Sequence, residues 1–425
     1  MTGQLSGRGI AARAAHALRM ETASETRVGA VRLRPLAVCW ISVAFAVIAA
    51  IWITNATARA DWVALAALGG TYVAGRAARV LAGTVPSAAV AWGIAACALL
   101  TEFITYAGLA AAGTLHPASA GLSGPAASGL RGTFLADFGG PGPTGLWRLA
   151  VTAVIIAALL PMTDLCLRDT VGTGSRRLFI GASGDARLPL AGLVLLLAGE
   201  RAALTALLVL GVAALGATVI DGTRADVRRG DVRASRGDGR ISVWIGHFVR
   251  GRLPPLAPLV VGLLVTGVLA ALGLRNLSGI LVLTPVEAML LAAFGSWHPH
   301  DGRGDWVVPP LIQAAEYVFL AELGFASRLY PEVTFALVAA IGLRHLDLAY
   351  RARGGLASGI DRRGLGWDGR MLIAGIAGAV GIQLLVYPLL ALGLWWLIVR
   401  DWAVGWMARG VLVPAERGRR SAVDG

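Results

Sequence analysis

The sequence predicts an all-α polytopic integral membrane protein, with about ten to twelve transmembrane helices in two bundles. Three observations predict it. Of 425 residues, 56% are hydrophobic and 15% charged, where a soluble domain carries roughly a quarter charged residues. Mean hydropathy is +0.69. Several uncharged stretches are long enough to cross a bilayer, separated by short arginine-bearing loops.

The net charge of +13 comes from arginine alone, since the chain has no lysine. Arginines placed in short loops between apolar runs set topology and meet lipid head groups or phosphates. That placement argues against nucleic acid as a partner. Cys39, Cys97 and Cys166 sit in apolar runs without paired spacing, so neither a disulfide framework nor a thiolate metal site is expected.

Residues 1–35 read as a cytoplasmic arm, because they carry arginines but no apolar core. The first membrane bundle is expected over 36–220. Its spans are Leu36–Thr54, Trp62–Gly83, Ala88–Ala112 and Leu146–Leu167. The long loop Gly113–Gly145, with Arg131 its one basic residue, suits the outer side. Arginines flank Leu188–Ile220 on both sides, so that stretch must cross an even number of times. A hairpin turning at Glu200-Arg201 is expected, its first arm short and starting as early as Leu178. Residues 221–255 form a charged cytoplasmic linker.

The second bundle is expected over 256–399. Its spans are Leu256–Leu274, Leu277–Phe294, Val307–Ala326 and Pro331–Leu343. The stretch Met371–Val399 is open between one tilted helix and two arms around Pro388. Residues 400–425 are a tail. Two short echoes suggest duplication: Glu102-Phe103-Ile104 with Glu316-Tyr317-Val318, and Gly199-Glu200-Arg201 with Tyr330-Pro331-Glu332.

Three groups of residues could carry chemistry. His298, His300, Asp301 and Asp305 fill a short polar loop between apolar runs, with His345 and Asp347 at the end of a nearby span. Imidazole and carboxylate together could hold a divalent cation, the one cofactor suggested; the bland reading is a polar interhelical turn. Arg344, Arg351, Arg353, Arg362, Arg363 and Arg370 could grip phosphate, or could simply anchor topology on anionic lipid. The intramembrane acids Glu102, Glu287, Glu316 and Glu322 are costly in hydrocarbon. They call for an arginine partner or a proton or substrate path; Glu102 with Arg79 is the expected structural pair.

The run Thr71-Tyr72-Val73-Ala74-Gly75-Arg76-Ala77-Ala78-Arg79 resembles part of the signature D-x-x-D-G-x-x-A-R of the integral-membrane CDP-alcohol phosphotransferases. Gly75, Ala78 and Arg79 match its G, A and R. Thr71 and Ala74 stand at its first two aspartates, and Ile94 and Ala98 where the other two belong. The resemblance implies a six-helix, cytoplasm-facing unit whose metal-binding carboxylates are missing. The second half resembles an actinobacterial membrane domain of unknown function, on Trp297–Arg303, Ala315-Glu316-Tyr317, Arg344–Arg351 and Gly364–Met371.

The resemblances imply a bacterial plasma-membrane protein with a cytoplasmic N-terminus. Its expected role is non-catalytic support of phosphate-bearing envelope lipids. Its partners would be the lipid membrane, a nucleotidyltransferase or an active phosphotransferase of the same pathway, and a second copy in a homodimer. An active transferase with its site over 298–370, and a transporter or flippase, are the alternatives.

Overall fold

A computed structural model describes residues 35–55, 57–83, 88–116, 140, 142–171, 184–224, 239–249, 256–276, 280–295, 305–353 and 364–412. Every regular element among them is helical. The helices are labelled in chain order: α1 Pro35–Ile53, α2 Ala58–Ala82, α3 Ala88–Leu115, α4 Gly142–Val171, α5 Gly184–Ala198, α6 Glu200–Arg224 and α7 Arg240–Val249. They continue with α8 Leu256–Asn276, α9 Ile280–Gly295, α10 Val308–Ala326, α11 Pro331–Arg353, α12 Gly366–Val380 and α13 Gln383–Leu412. A 3-10 turn, Asp305–Val307, leads into α10.

Six of these helices are long and apolar enough to cross a membrane: α1, α3, α4, α6, α11 and α13. Their apolar character runs all round, as befits helices that meet either protein or lipid on every side. Helices α4 and α11 are the most enclosed, each with 78% of its most apolar window buried, whereas α13 has 22%. The core is therefore built around α4 and α11, with α3 and α10 beside them, and α13 lies on the rim. Residues of both halves share one hydrophobic core, from Leu68 and Tyr106 to Tyr317 and Met371.

The stretch 188–220 is a hairpin, as its flanking arginines require, but the turn falls one residue earlier than expected. Gly199 adopts φ 88, a left-handed conformation that only glycine enters cheaply. Glu200 and Arg201 then open α6 and are not the turn. The arms run back along each other, since a Cβ built at Gly211 would lie 3.3 Å from Nη1 of Arg187, near the start of α5. Within the described residues the first arm runs from Gly184, and Leu178 lies outside them.

The stretch 371–399 breaks into two helices at Gly381 (φ 83), where the chain turns in the same left-handed way. Pro388 lies within the second turn of α13, where it removes one backbone hydrogen bond to the preceding turn. Both ends of α12 and α13 are fixed by contacts. The Gln383 amide donates to Ser327 Oγ at 3.0 Å, placing the start of α13 beside the end of α10. Asp401 meets Arg344 of α11, and Trp402 meets Trp40 and Trp92. The far end of α13 therefore joins the starts of α1 and α3. The 3-10 turn lies at this same end, because Trp306 packs where Gly222 of α6 and Leu167 of α4 approach each other.

The linker carries an element that charge alone does not suggest. Helix α7 buries Ser242 and Gly246 against α9 and α12 and exposes Trp244, His247 and Phe248. Trp244 and Phe248 pair edge to face, with centroids 4.8 Å apart. One polar face and one apolar face on ten residues are the pattern of a helix lying at a surface.

A buried polar centre and its neighbours

The clearest polar constellation is assembled by α10, α11 and α12. Glu316 of α10 is fully buried, and so is Arg370 of α12. Arg370 Nε donates to Glu316 Oε1 at 2.6 Å and Nη2 donates to Oε2 at 3.0 Å. The pair is bidentate, the strongest arrangement open to these two groups. Nη1 of the same guanidinium donates to the Gly364 carbonyl at 2.9 Å.

His345 of α11 closes the centre. Its Nε2 lies 3.0 Å from Arg370 Nη2 and 3.3 Å from Glu316 Oε2. A guanidinium can only donate, so Nε2 accepts there and the ring hydrogen sits on Nδ1. Nδ1 then donates to Tyr317 Oη at 2.8 Å. Carboxylate, guanidinium, imidazole and phenol thus form one continuous buried chain. Each member satisfies another, which is what burial of charge demands.

A second cluster is built on the residues of α11 that flank His345. Arg344 Nη1 donates to Asp347 Oδ2 at 3.2 Å and to Asp401 Oδ2 at 2.9 Å. Arg351 Nε donates to Asp347 Oδ1 at 2.9 Å, and its Nη2 donates to the Asp401 carbonyl at 3.0 Å. This cluster ties α11 to α13. Arg344, Arg351 and Arg370, expected as candidates for phosphate, all face carboxylates.

Asp368, two residues before Arg370, performs a third task. Its Oδ2 accepts from the backbone N–H groups of Ile241 and Ser242 at 2.6 and 3.2 Å. Those donors are unsatisfied at any helix N-terminus. Asp368 therefore caps α7 from another helix and fixes where that surface helix begins. The first turn of α12 holds α7 with one residue and the buried centre with another.

The first half has its own buried ion pair, and it is not the expected one. Glu102 Oε1 accepts from Arg187 Nη2 at 2.7 Å, and Oε2 accepts from Tyr106 Oη at 2.7 Å. Arg79 is not its partner, because Arg187 at the start of α5 reaches the carboxylate first across the α3–α5 contact. Around Arg79 the packing is apolar: Ala78 joins Cys39, Val43 and Cys97. Thr71 donates its hydroxyl to the Leu68 carbonyl of its own helix at 2.7 Å, and Ala74 is buried. Gly75 is half-buried. The four positions that would carry metal-binding carboxylates hold Thr71, Ala74, Ile94 and Ala98. A hard divalent cation needs carboxylate oxygens, so these residues do not fit one.

The remaining candidates are scattered. Asp305 is buried in the 3-10 turn. Glu287 of α9 is half-buried and its Oε2 accepts from Thr266 of α8 at 2.5 Å. Among the described residues its Oε1 is buried without a hydrogen-bond partner. Glu322 is exposed on α10. His298, His300, Asp301, Arg362 and Arg363 lie outside the described residues, as does the side chain of Arg353. Among the described residues no three histidine, cysteine or acidic side chains gather in a metal-holding group.

Sequence reading misses Arg187 and Asp368 as partners. A signal is present: Asp185-Ala186-Arg187 before Ala191-Gly192 repeats as Asp368-Gly369-Arg370 before Ala374-Gly375.

The polar centre lies within the part of the chain that resembles other sequences. Residues 232–400 match a family of unknown function (DUF5941). No curated protein matches, and no solved structure matches. The matched segment takes in α7 through most of α13, and with them Glu316, Tyr317, His345, Asp368 and Arg370.

Proposed function

We propose that the chain is a polytopic protein of the bacterial plasma membrane with ten to twelve crossings and a cytoplasmic N-terminus. In this reading it is a non-catalytic relative of the CDP-alcohol phosphotransferases. It supports the synthesis or handling of phosphate-bearing envelope lipids beside a nucleotidyltransferase or an active phosphotransferase.

One observation carries the non-catalytic part. Among the described residues, the buried carboxylates nearest the candidate sites are held by arginines: Glu316 by Arg370, Glu102 by Arg187, and Asp347 and Asp401 by Arg344. Thr71 and Ala74 meanwhile offer no carboxylate where the resemblance would place a metal. Groups locked in buried ion pairs hold helices together; they are poorly placed to bind a cation or abstract a proton. The test is turnover by the purified chain of CDP-activated donors with Mg²⁺ or Mn²⁺ and a lipid or polyol acceptor. No product is expected, and product formation above a protein-free control overturns the reading.

Glu287 favours a second reading, a transporter or flippase. Among the described residues its carboxylate is half satisfied, and such groups in a membrane segment mark ion or proton paths. Proton flux into vesicles that disappears in Glu287→Gln would favour this reading over the first. A third reading, an active transferase centred on 298–370, rests on polar residues that include the undescribed His298–Asp301 and Arg362–Arg363.

A further inference from the structure

Helices α1–α6 and α8–α13 repeat one pattern. In each set the third helix carries a buried glutamate, Glu102 or Glu316. The fifth is short, 15 residues in both cases, and begins with the arginine that grips that glutamate. A left-handed glycine follows it, Gly199 or Gly381, and then a long sixth helix.

The correspondence is residue by residue. Trp92 and Glu102 align with Trp306 and Glu316 at one constant offset. Asp164, Arg168, Arg187 and Gly192 align with Asp347, Arg351, Arg370 and Gly375 at another. The offset changes between the third and fourth helices, where the first set has a longer connection and longer flanking helix ends than the second. Aligned residues do the same things. Asp164 pairs with Arg168 at 3.0 Å and Asp347 with Arg351 at 2.9 Å, each one helical turn apart. A Cβ added to Gly192 would strike Leu65 and Leu68 of α2, and one added to Gly375 would strike Leu281 and Pro285 of α9. The second helix of each set therefore packs on the fifth at the same glycine. Of the two sequence echoes, the glutamate one is in this register. The other is not, since Gly199 falls within one residue of the Gly381 hinge and far from the α10–α11 turn.

The contact between the sets is also reciprocal. Helix α4 packs on α11, its own counterpart, while α3 packs on α11 and α4 on α10. At the crossing, Gly342 of α11 faces Ala158 of α4, and these positions are within one residue of being equivalent. At one end Trp92 of α3 meets Trp402 of α13, and Trp306 before α10 meets Gly222 of α6. A self-complementary contact in which i meets j and j meets i is the mark of two-fold symmetry.

We infer that the chain is a fused pseudo-dimer, two six-helix units related by a two-fold axis at the α4–α11 crossing, with the polar centre elaborated in the second unit alone. The surface that a single unit would offer to a second copy is covered by the chain's own other half. The units have diverged at the centre. Phe103 and Met162 stand in the first where Tyr317 and His345 stand in the second. Both keep the glutamate–arginine pair, which holds the third helix to the fifth. Only the second adds imidazole and phenol in series. This assignment is independent of the proposed function.

Spin-label distances test it. Leu193 and Ile376 are equivalent and exposed, and so are Val209 and Leu392. A two-fold axis makes the distance from 193 to 392 equal to that from 376 to 209. Nitroxides are attached to the double variants Leu193→Cys with Leu392→Cys and Val209→Cys with Ile376→Cys in the full chain, reconstituted in lipid. The buried native cysteines are controlled by the labelled wild type. Pulsed dipolar spectroscopy should give two distributions whose peaks coincide within their widths. Peaks separated by more than that width would overturn the two-fold arrangement. So would a concentration-dependent second distance, which would place the partner unit in another chain.

Discussion

Arg370 and Glu316 face each other as two parallel hydrogen bonds at 2.6 and 3.0 Å, both side chains sealed from solvent. The pair draws α12 onto α10 and aligns the His345 ring. Removing one partner leaves a buried charge alone. Glu316→Ala or Arg370→Ala should each cost about 3–5 kcal/mol, read as a lowered unfolding midpoint in detergent. The double variant Glu316→Leu with Arg370→Met should lose less than the two single losses combined. Additive losses would show that the groups do not act as a pair.

Arg370→Lys should fail to rescue. Lysine presents a point charge in place of a planar fork and cannot span both carboxylate oxygens and the Gly364 carbonyl together. Unfolding should resemble that of Arg370→Ala more than the parent. Parental stability would contradict the bidentate geometry.

The first-half pair predicts a graded series. Arg187→Ala strands Glu102 at about 3–5 kcal/mol, whereas Tyr106→Phe removes one neutral donor from the carboxylate, at about 1.5–3 kcal/mol. Arg187→Ala should therefore be the more damaging of the two. The reverse order would mean that Tyr106, and not Arg187, secures the carboxylate.

Asp368→Ala should free the start of α7. Lost caps cost about 1 kcal/mol, and here the loss is local. Hydrogen exchange over 241–248 should speed up while exchange in α11 stays unchanged. Uniform acceleration across both would show that Asp368 supports the whole bundle and not the surface helix.

Much of the fold is legible in the sequence, and the reasons that legibility stops are physical. Helices announce themselves by length and apolarity, so the helices before α5 fall within a few residues of the expected bounds, and α1, α3 and α4 among them are apolar enough to cross a membrane. Arginine asymmetry by itself requires the 188–220 hairpin. Its turn is harder to place, because the polar pair Glu200-Arg201 draws attention from Gly199, whose role is conformational. Glu102 points to Arg79 in the sequence because both lie near the remnant motif. The true partner, Arg187, is near only after folding, and no periodicity reports that. The polar centre is half legible: Glu316, His345 and Arg370 all stand out, but as scattered candidates for different ligands. Their joining depends on α12 turning at Gly381, which a continuous apolar run conceals. Tyr317 and Asp368 stand in the sequence only as parts of longer motifs, because their partners, His345 and the start of α7, are near them only after folding.

Anomalous scattering from crystals grown with Mn²⁺ and a CDP-alcohol bears most directly on the non-catalytic reading. The account predicts no manganese peak between α2 and α3, because Thr71, Ala74, Ile94 and Ala98 bring no carboxylate to it. A peak coordinated there, beside Gly75 and Arg79, would contradict it.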